Sequence, residues 1–445
     1  MHSRFHWHPA AVLASAFLFT ITLGTLLLML PLAASSGQGA PLLTALFTAT
    51  SAVCVTGLAV VDTGTYWSGA GQFIVMALFQ LGGFGMMTSA TLMVLLMGGH
   101  MKLRTRLLLQ SETHALSLGD VRSVARVVLV VTLVCEALVG AWLAVRFSQT
   151  MDLPWSQALW HGVFHSVSAF NNAGFSTWPD SMMRHVTDAW VLVPIMLAIT
   201  VGGLGFPVIS EMWANRSRRQ ARWSVHATLT IWGSLGLVAV GTVLIWWAEA
   251  ANPKTLAPLP WLQQGLAALF TSVSARTAGF NALDVGALDT ETLALHYVLM
   301  FIGGGSAGTA GGIKVTTTCV ILLIVWNEIQ GRRDVEFRGR RISTPVQRQA
   351  LTILVLSGLA VSLGTLILIP LAPFPLEKVL FEVVSAFATV GLSTGITADL
   401  PPPAQGVIIA LMYAGRVGVV TLALALATNQ AARAFRYPEE KPLVG

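Results

Sequence analysis

Phe47-Thr48-Ala49-Thr50-Ser51-Ala52-Val53-Cys54-Val55-Thr56-Gly57-Leu58 would pass unnoticed in a single copy, but the chain carries its pattern four times. Phe-x3-Ser-Ala, ending in glycine and an apolar residue, returns at Phe164, Ser168, Ala169, Gly174 and Phe175. It returns again at Phe270, Ser274, Ala275, Gly279 and Phe280, and at Phe381, Ser385, Ala386, Gly391 and Leu392. The Phe-to-Gly separations are 10, 10, 9 and 10 residues, and successive Phe positions are 117, 106 and 111 apart. Recurrence at this spacing marks an internal repeat rather than coincidental packing of small residues.

Each copy lies in a short apolar segment, near 41–54, 156–171, 261–276 and 377–388. A membrane span takes roughly 20 apolar residues, so these segments are too short to cross and suit re-entrant half-helices, which need protein or water around their open ends. Around them lie full spans near 10–31, 71–98, 127–146, 190–210, 227–248, 293–326, 349–372 and 406–428. The composition agrees. Of 445 residues 54% are apolar and only 10% charged, with a mean hydropathy of +0.71, whereas soluble proteins carry roughly 25% charged residues. Cys54, Cys135 and Cys319 are far apart in apolar stretches, which argues against disulfides and thiolate metal sites. The expected fold is therefore an all-α membrane protein: four tandem helix–pore-helix–helix repeats around a central pore, with pseudo-fourfold symmetry. The repeats occupy 1–100, 101–215, 216–327 and 328–428, with a tail at 429–445.

The loops set the orientation by the positive-inside rule. Arg4, Lys102, Arg104, Arg106, Arg122, Arg126, Arg216, Arg218, Arg219, Arg222, Arg332, Arg333, Arg338, Arg340, Arg341, Arg348, Arg433, Arg436 and Lys441 all fall on one side. The other side has Arg146, Arg184, Lys254 and Lys378 against Asp62, Asp152, Asp180, Asp188, Glu249, Asp284, Asp289, Glu291, Glu377 and Asp399. Both termini are expected in the cytoplasm, and the net charge of +6 is a topology signal, not a sign of nucleic-acid binding.

A half-helix entering from outside aims its partially negative C-terminal end at the membrane centre, where it favours a cation. The chain then returns in extended form, and four returns can ring an ion with backbone carbonyls. Glycine permits the backbone this needs. None of the returns contains a carboxylate, thiolate or imidazole, so a transition metal is not expected, and neutral oxygens suit K⁺. Asp62, Asp180, Asp284 and Asp399 follow the four glycines by 5, 6, 5 and 8 residues and would form an outer funnel concentrating cations.

The second helix of every repeat has small residues near its middle: Gly82-Gly83-Phe84-Gly85, Gly202-Gly203-Leu204-Gly205, Gly303 to Gly312, and Gly415-Arg416-Val417-Gly418. Close helix packing accounts for the first two. The third, Gly303-Gly304-Gly305-Ser306-Ala307-Gly308-Thr309-Ala310-Gly311-Gly312, has six glycines in ten positions, each costing about 1 kcal/mol relative to alanine in a helix, and is expected to open into an intramembrane loop below the filter. Its G-x-G-x-x-G lacks the βαβ setting of a dinucleotide site, and Ile313 between Gly312 and Lys314 breaks a phosphate loop. Arg416 needs partners inside a membrane and is expected to contact this loop. Lys314 can join the gate loop or snorkel to the inner interface, and the latter is the expectation. Arg276 is expected to brace the filter from behind, against Glu382, and Glu136 to pair with a neighbouring helix or subunit or to act as an ion relay.

On these residues the chain resembles the Trk/Ktr/HKT superfamily of K⁺ transporters in its KtrB-type branch, along essentially its whole length, which implies a pseudo-fourfold, K⁺-channel-like pore. The resemblance rests on Cys54-Val55-Thr56-Gly57-Leu58, Asn171-Asn172-Ala173-Gly174-Phe175, Arg276-Thr277-Ala278-Gly279-Phe280 and Ala388-Thr389-Val390-Gly391-Leu392. It implies a selectivity filter of Val55, Thr56, Gly57, Asn172, Ala173, Gly174, Thr277, Ala278, Gly279, Thr389, Val390 and Gly391, and a gate at the 303–312 loop contacted by Arg416. The TrkH-type branch carries two further N-terminal helices, whereas this chain enters its first repeat at once. The function implied is K⁺ uptake, with Na⁺ as activator or coupled ion. The implied partners are a homodimer mate in the cell (inner) membrane and a separate cytosolic KtrA-like nucleotide-binding ring. Alternatives are a TrkH-like transporter, a less selective K⁺/Na⁺ pore, or a secondary transporter with a midplane site. No catalytic constellation is present, so an enzyme is not expected.

Overall fold

The computed structural model describes residues 9–98, 120–216 and 223–418. Arg4, Lys102, Arg104, Arg106, Arg218, Arg219, Arg222, Arg433, Arg436, Lys441, the end of the last expected span and the tail 429–445 lie outside the described residues.

Repeat 1 comprises α1 (Pro9–Leu28), the pore helix α2 (Leu42–Val53), a single turn α3 (Thr63–Tyr66) and α4 (Gly69–Gly98). Repeat 2 comprises α5 (Asp120–Thr150), pore helix α6 (Trp155–Phe170), α7 (Ala189–Leu204) and α8 (Phe206–Asn215). Repeat 3 has α9 (Val225–Glu249), pore helix α10 (Trp261–Ser274), α11 (Thr290–Phe301) and α12 (Val315–Ile329). Repeat 4 has α13 (Thr344–Leu368), pore helix α14 (Leu376–Phe387) and α15 (Pro402–Val417). The strands described are a small antiparallel hairpin, β1 (Glu336–Phe337) and β2 (Arg340–Arg341), between repeats 3 and 4.

All four short segments are helices, and each begins directly after a proline, Pro41, Pro154, Pro260 or Pro375, in extended conformation. Proline cannot donate to a preceding turn and fixes φ where a helix starts, so these four prolines set where each half-helix enters.

The protein is apolar on the outside and packed within. Among the described residues four helices are long and apolar enough to span a membrane, and no more than 33% of the apolar stretch of each is buried. Phe19, Leu133, Val243 and Leu366 are among the large apolar side chains they expose. The pore helices lie at the centre instead. Phe47, Phe164, Phe270 and Phe381, the phenylalanines of the repeat, are all fully buried. Their clusters close a ring: one joins Phe47 to Phe164 and to Val383 and Met412, a second joins Phe170 to Phe270, and a third joins Ala267 to Phe381. Repeats 4 and 1 are also tied where the Tyr413 hydroxyl donates to Ala14 O at 2.9 Å.

Two second helices depart from a straight span. The third opens between α11 and α12, as its glycine run predicts. The second breaks at Gly205 (φ 88°), so that α7 and α8 meet at 98°, where the sequence reading expects only close packing. Pro207 starts the new helix, and the opened backbone is filled by the third repeat: Phe206 N–H donates to Ala307 O at 3.4 Å and Gly305 N–H to Gly203 O at 2.7 Å. α4 runs unbroken through Gly82 and Gly85.

Candidate ion pore

The four returns after the pore helices share one backbone. The residue two before each glycine has a left-handed φ: Val55 at 56°, Asn172 at 57°, Thr277 at 78° and Thr389 at 50°. Gly57, Gly174, Gly279 and Gly391 follow at 91°, 71°, 77° and 96°. A side-chain-bearing residue pays about 1–2 kcal/mol for this conformation, so four such residues in register require a surrounding structure that imposes it.

The repeated serine supplies part of that structure. The N–H groups of Thr56, Ala173, Ala278 and Val390 turn back to the carbonyls of Ser51, Ser168, Ser274 and Ser385 at 2.7, 2.8, 2.9 and 2.8 Å. The hydroxyls complete the tie. Gly57 N–H and Gly391 N–H each donate at 3.1 Å to Ser51 Oγ and Ser385 Oγ. Ser168 Oγ donates to Phe175 O at 2.8 Å, and Ser274 Oγ to Phe280 O. The sequence reading used these serines as markers of the repeat without giving them a role; their fixed place four residues after each Phe was the available signal.

The glycines form a closed ring. A Cβ on Gly57 would lie 3.1 Å from the Cα of Gly174, on Gly174 2.9 Å from that of Gly279, on Gly279 3.3 Å from that of Gly391, and on Gly391 3.1 Å from that of Gly57. Each would also meet the carbonyl oxygen before the next glycine: Ala173, Ala278, Val390 or Thr56. The ring therefore has no room for side chains at these positions, and each glycine faces a neighbouring backbone oxygen, an uncharged ligand type suited to a dehydrated monovalent cation.

Outside the ring lies an open vestibule of about 360 Å³ bordered by all four glycines, Asp62 and Asp284. Asp62 Oδ1 accepts from Thr65 N–H at 2.7 Å, and Asp284 Oδ1 from Gly286 N–H at 2.9 Å, so both double as turn caps. The expected funnel of four carboxylates is not assembled. Asp180 is paired with Arg184, four residues on, at 2.6 Å, and that guanidinium also lies 4.8 Å from the Trp178 ring centroid. Partial burial opposes ionisation of Asp180, but the Arg184 hydrogen bonds outweigh it and hold the carboxyl below its ordinary range. Asp399 sits exposed on a short turn, Thr397–Asp399, and does not border the vestibule.

Inside the ring, residues 302–314 cross beneath the four returns. Gly303 N–H donates to Ile313 O at 2.9 Å and Ile313 N–H to Phe301 O at 3.0 Å, which pinches the ends of the loop together. Thr309 N–H reaches repeat 2 at Gly202 O, 3.1 Å away, and a Cβ on Gly311 would strike Thr389 Oγ1 and Ala388 O of repeat 4. Arg416 occupies the place that Gly83 and Gly203 hold in sister repeats, one residue after a glycine pressed on a pore-helix carbonyl. Its side chain is 1% exposed, donates from Nη1 to Thr309 O at 2.6 Å and from Nη2 to Gly82 O at 3.2 Å, and so joins the loop to repeats 4 and 1.

Two further expectations about charged groups fail. Lys314 does not snorkel: its Nζ donates back to Ala310 O at 2.5 Å, because the loop offers a carbonyl nearer than the interface. Arg276 does not meet Glu382. It stays within its own repeat, donating to Ser234 O at 3.1 Å and to Gly303 O at 3.1 Å. Glu382, fully buried, is satisfied by Ser393 Oγ, Thr394 N–H and Thr397 Oγ1 at 2.5, 3.1 and 2.7 Å. Lys314, Arg276 and Glu382 thus all take their hydrogen bonds within their own repeats, although Arg276 Nε stays buried without an acceptor. Glu136 pairs with neighbouring helices, accepting from Gln80 at 3.3 Å and Asn171 at 3.2 Å behind the second return.

Comparison with known proteins places this geometry. The family model described as "TrkH: Cation transport protein" matches residues 8–436. The chain is 38% identical to the Ktr system potassium uptake protein B of Bacillus subtilis, covering 98% of this chain and 97% of that one. It is 37% identical to the protein of the same description from Vibrio alginolyticus (98% and 95% covered) and 32% identical to the potassium/sodium uptake protein NtpJ of Enterococcus hirae (98% and 97%). The crystal structure of the potassium transporter TrkH from Vibrio parahaemolyticus superimposes with a TM-score of 0.75 at 18% identity, covering 96% of this chain and 86% of that one, and so shares the fold. The chain is a member of the TrkH family of cation transport proteins.

Proposed function

We propose that this chain is the pore-forming membrane subunit of a K⁺ uptake system. The observation that carries the reading is the closed ring of four positive-φ glycines, each packed against the carbonyl that precedes the next. Such a ring strips water from a monovalent cation and replaces it with neutral oxygen, and relatives matching the chain end to end are described as potassium uptake proteins. Val55, Thr56, Gly57 and their counterparts in the other repeats act as the filter, Asp62 and Asp284 attract cations to its mouth, and the 303–312 loop with Arg416 acts as the gate.

The finer reading follows the KtrB resemblance. The subunit works as a homodimer in the cell (inner) membrane with both termini cytoplasmic, Na⁺ activates or accompanies K⁺ uptake, and a cytosolic nucleotide-binding ring controls the gate from the basic inner face. A less selective K⁺/Na⁺ pore is the second reading, favoured by the description of the Enterococcus relative as a potassium/sodium uptake protein.

Reconstitution tests both. Liposomes holding the purified Arg416→Ala chain are expected to take up Rb⁺ down its gradient, with K⁺ competing better than Na⁺; equal competition selects the less selective pore. In that background Gly174→Ala should cut uptake by roughly tenfold or more, since the new Cβ meets both a left-handed φ and the neighbouring glycine. Uptake no greater than in empty liposomes would overturn the pore reading. Growth of a K⁺-transport-deficient strain, with and without Na⁺ and the cytosolic partner, tests the regulation.

A further inference from the structure

The residues two before the filter glycines carry different side chains: Val55, Asn172, Thr277 and Thr389. Their shared left-handed backbone places them at equivalent positions, just inside the glycine ring. Three of the four offer an uncharged oxygen and the first offers none. All three polar residues are no more than 1% exposed, and they are not independent of the loop beneath them. Asn172 Nδ2 lies 3.5 Å from Thr277 Oγ1, while Asn172 Oδ1 faces Thr309 Oγ1 of the loop at 3.2 Å. The Thr309 hydroxyl has one proton, and it is shared with Phe170 O, also at 3.2 Å. Thr389 Oγ1, in the opposite repeat, is buried without a hydrogen-bond partner and stands over Gly311 of the same loop.

A buried amide oxygen held only by half of a shared hydroxyl proton is weakly satisfied, and a buried hydroxyl with no acceptor is not satisfied at all. Both face the segment that would have to move for an ion to pass. We infer that the side-chain oxygen of Asn172 is a cation ligand that Thr309 occupies while the loop is in place, and that withdrawal of the loop releases it to form, with the hydroxyl oxygens of Thr277 and Thr389, an inner site for a dehydrated monovalent cation. The inference rests on the pore reading above. Gate and binding site then share one atom: closing the loop removes a ligand as well as blocking the way, and a cation bound on the inner site opposes closure. The lone apolar member, Val55, makes the site three-sided, so the ligand given by Asn172 cannot be replaced from repeat 1.

The test separates a ligand from a mere latch. In liposomes holding the chain with Gly305–Ala310 deleted, the Thr309 contact no longer exists, so a latch at Asn172 would have nothing left to do. There Asn172→Ala should raise the Rb⁺ concentration for half-maximal uptake by roughly tenfold, the scale of one lost ligand. Asn172→Thr, which restores the oxygen type present at Thr277 and Thr389, should recover most of the loss. An unchanged half-maximal concentration in Asn172→Ala overturns the inference, whereas no Rb⁺ uptake by the deletion protein itself overturns the pore reading instead. If the deletion protein does not assemble, Thr309→Val in the full-length chain serves: it should lower the half-maximal concentration when Asn172 is present and leave it unchanged when Asn172 is alanine. The same shift in both backgrounds would equally overturn the inference.

Discussion

Glu382 shows how a single residue of the pore helices is tied to the chain beyond the filter. Its carboxylate holds Ser393, Thr394 and Thr397, which lie just past Gly391, so it fixes the exit of the fourth return. Glu382→Ala strands the buried Thr394 N–H and takes the carboxylate from the half-buried Ser393 hydroxyl, and is expected to lower stability by about 2–4 kcal/mol, read as a fall in the melting temperature of purified protein. Because Arg276 bonds elsewhere, adding Arg276→Ala should be additive to within about 0.5 kcal/mol; a larger coupling would mean a contact that the geometry does not contain. The serines make a related case. Ser51→Ala and Ser385→Ala leave the glycine N–H groups without their 3.1 Å acceptors, so K⁺ should lose part of its advantage over Na⁺ in competition uptake, more than total uptake falls. From sequence the serines stand out as repeated and the glutamate as buried in a half-helix, but partners contributed by residues 11 to 15 positions away depend on how the return folds over its own helix.

At the scale of elements, the second helices diverge from a common plan. Gly82, Gly202 and Gly415 each press on the carbonyl of a pore-helix residue, Val53, Phe170 or Phe387, and each is followed three residues later by another glycine. From that shared start α4 continues, α7 turns by 98° at Gly205, α11 gives way to the loop, and α15 ends as described at Val417, with Gly418 at φ 88°. The loop was legible in its six glycines; the break at Gly205 was not, because the same spacing in repeat 1 supports an unbroken helix. What differs is the neighbour: at repeat 2 the loop of repeat 3 hydrogen-bonds backbone to backbone with the opened turn, at Gly202, Gly203 and Phe206. The loop is pinned at Thr309 by Arg416, so Arg416→Ala should raise basal Rb⁺ uptake severalfold in liposomes. Unchanged or lower uptake by correctly assembled protein would count against a blocking role. Arg416→Lys should restore little of the block, since one ammonium cannot reach both Thr309 O and Gly82 O as the guanidinium fork does.

For the molecule as a whole, apolar surface outside and polar backbone at the axis are two parts of one arrangement: lipid solvates the first helices, and the ring of pore helices shelters the returns. Charge is arranged on the same plan, with Asp62 and Asp284 on the vestibule side of the glycine ring and Arg416 on the loop side. Only Asp62 and Asp284 of the four aspartates face the vestibule. Replacing both by asparagine is expected to lower uptake several-fold at about 10 mM salt, where the screening length is about 30 Å, and much less at about 1 M, where it falls to about 3 Å. Asp180→Asn should not show this salt dependence, because Arg184 already neutralises that carboxylate at 2.6 Å. Equal losses at both ionic strengths for the Asp62/Asp284 pair would argue against electrostatic attraction.

The sequence by itself determined the repeat, the four half-helices, the glycines of the four returns and the third-repeat loop, because each is written in local chemistry: period, length, proline, and glycine content. It also marked Arg416 as a residue needing partners. It did not determine which partners the buried charges take, that Arg184 silences Asp180, or that one sister helix bends and another does not. Those outcomes depend on how returns and loops fold back in the packed ring: Arg416 reaches Thr309 and Gly82, 107 and 334 residues away, while Arg184, Lys314 and Glu382 find partners 4 to 15 residues away in turns whose shape the tertiary structure sets.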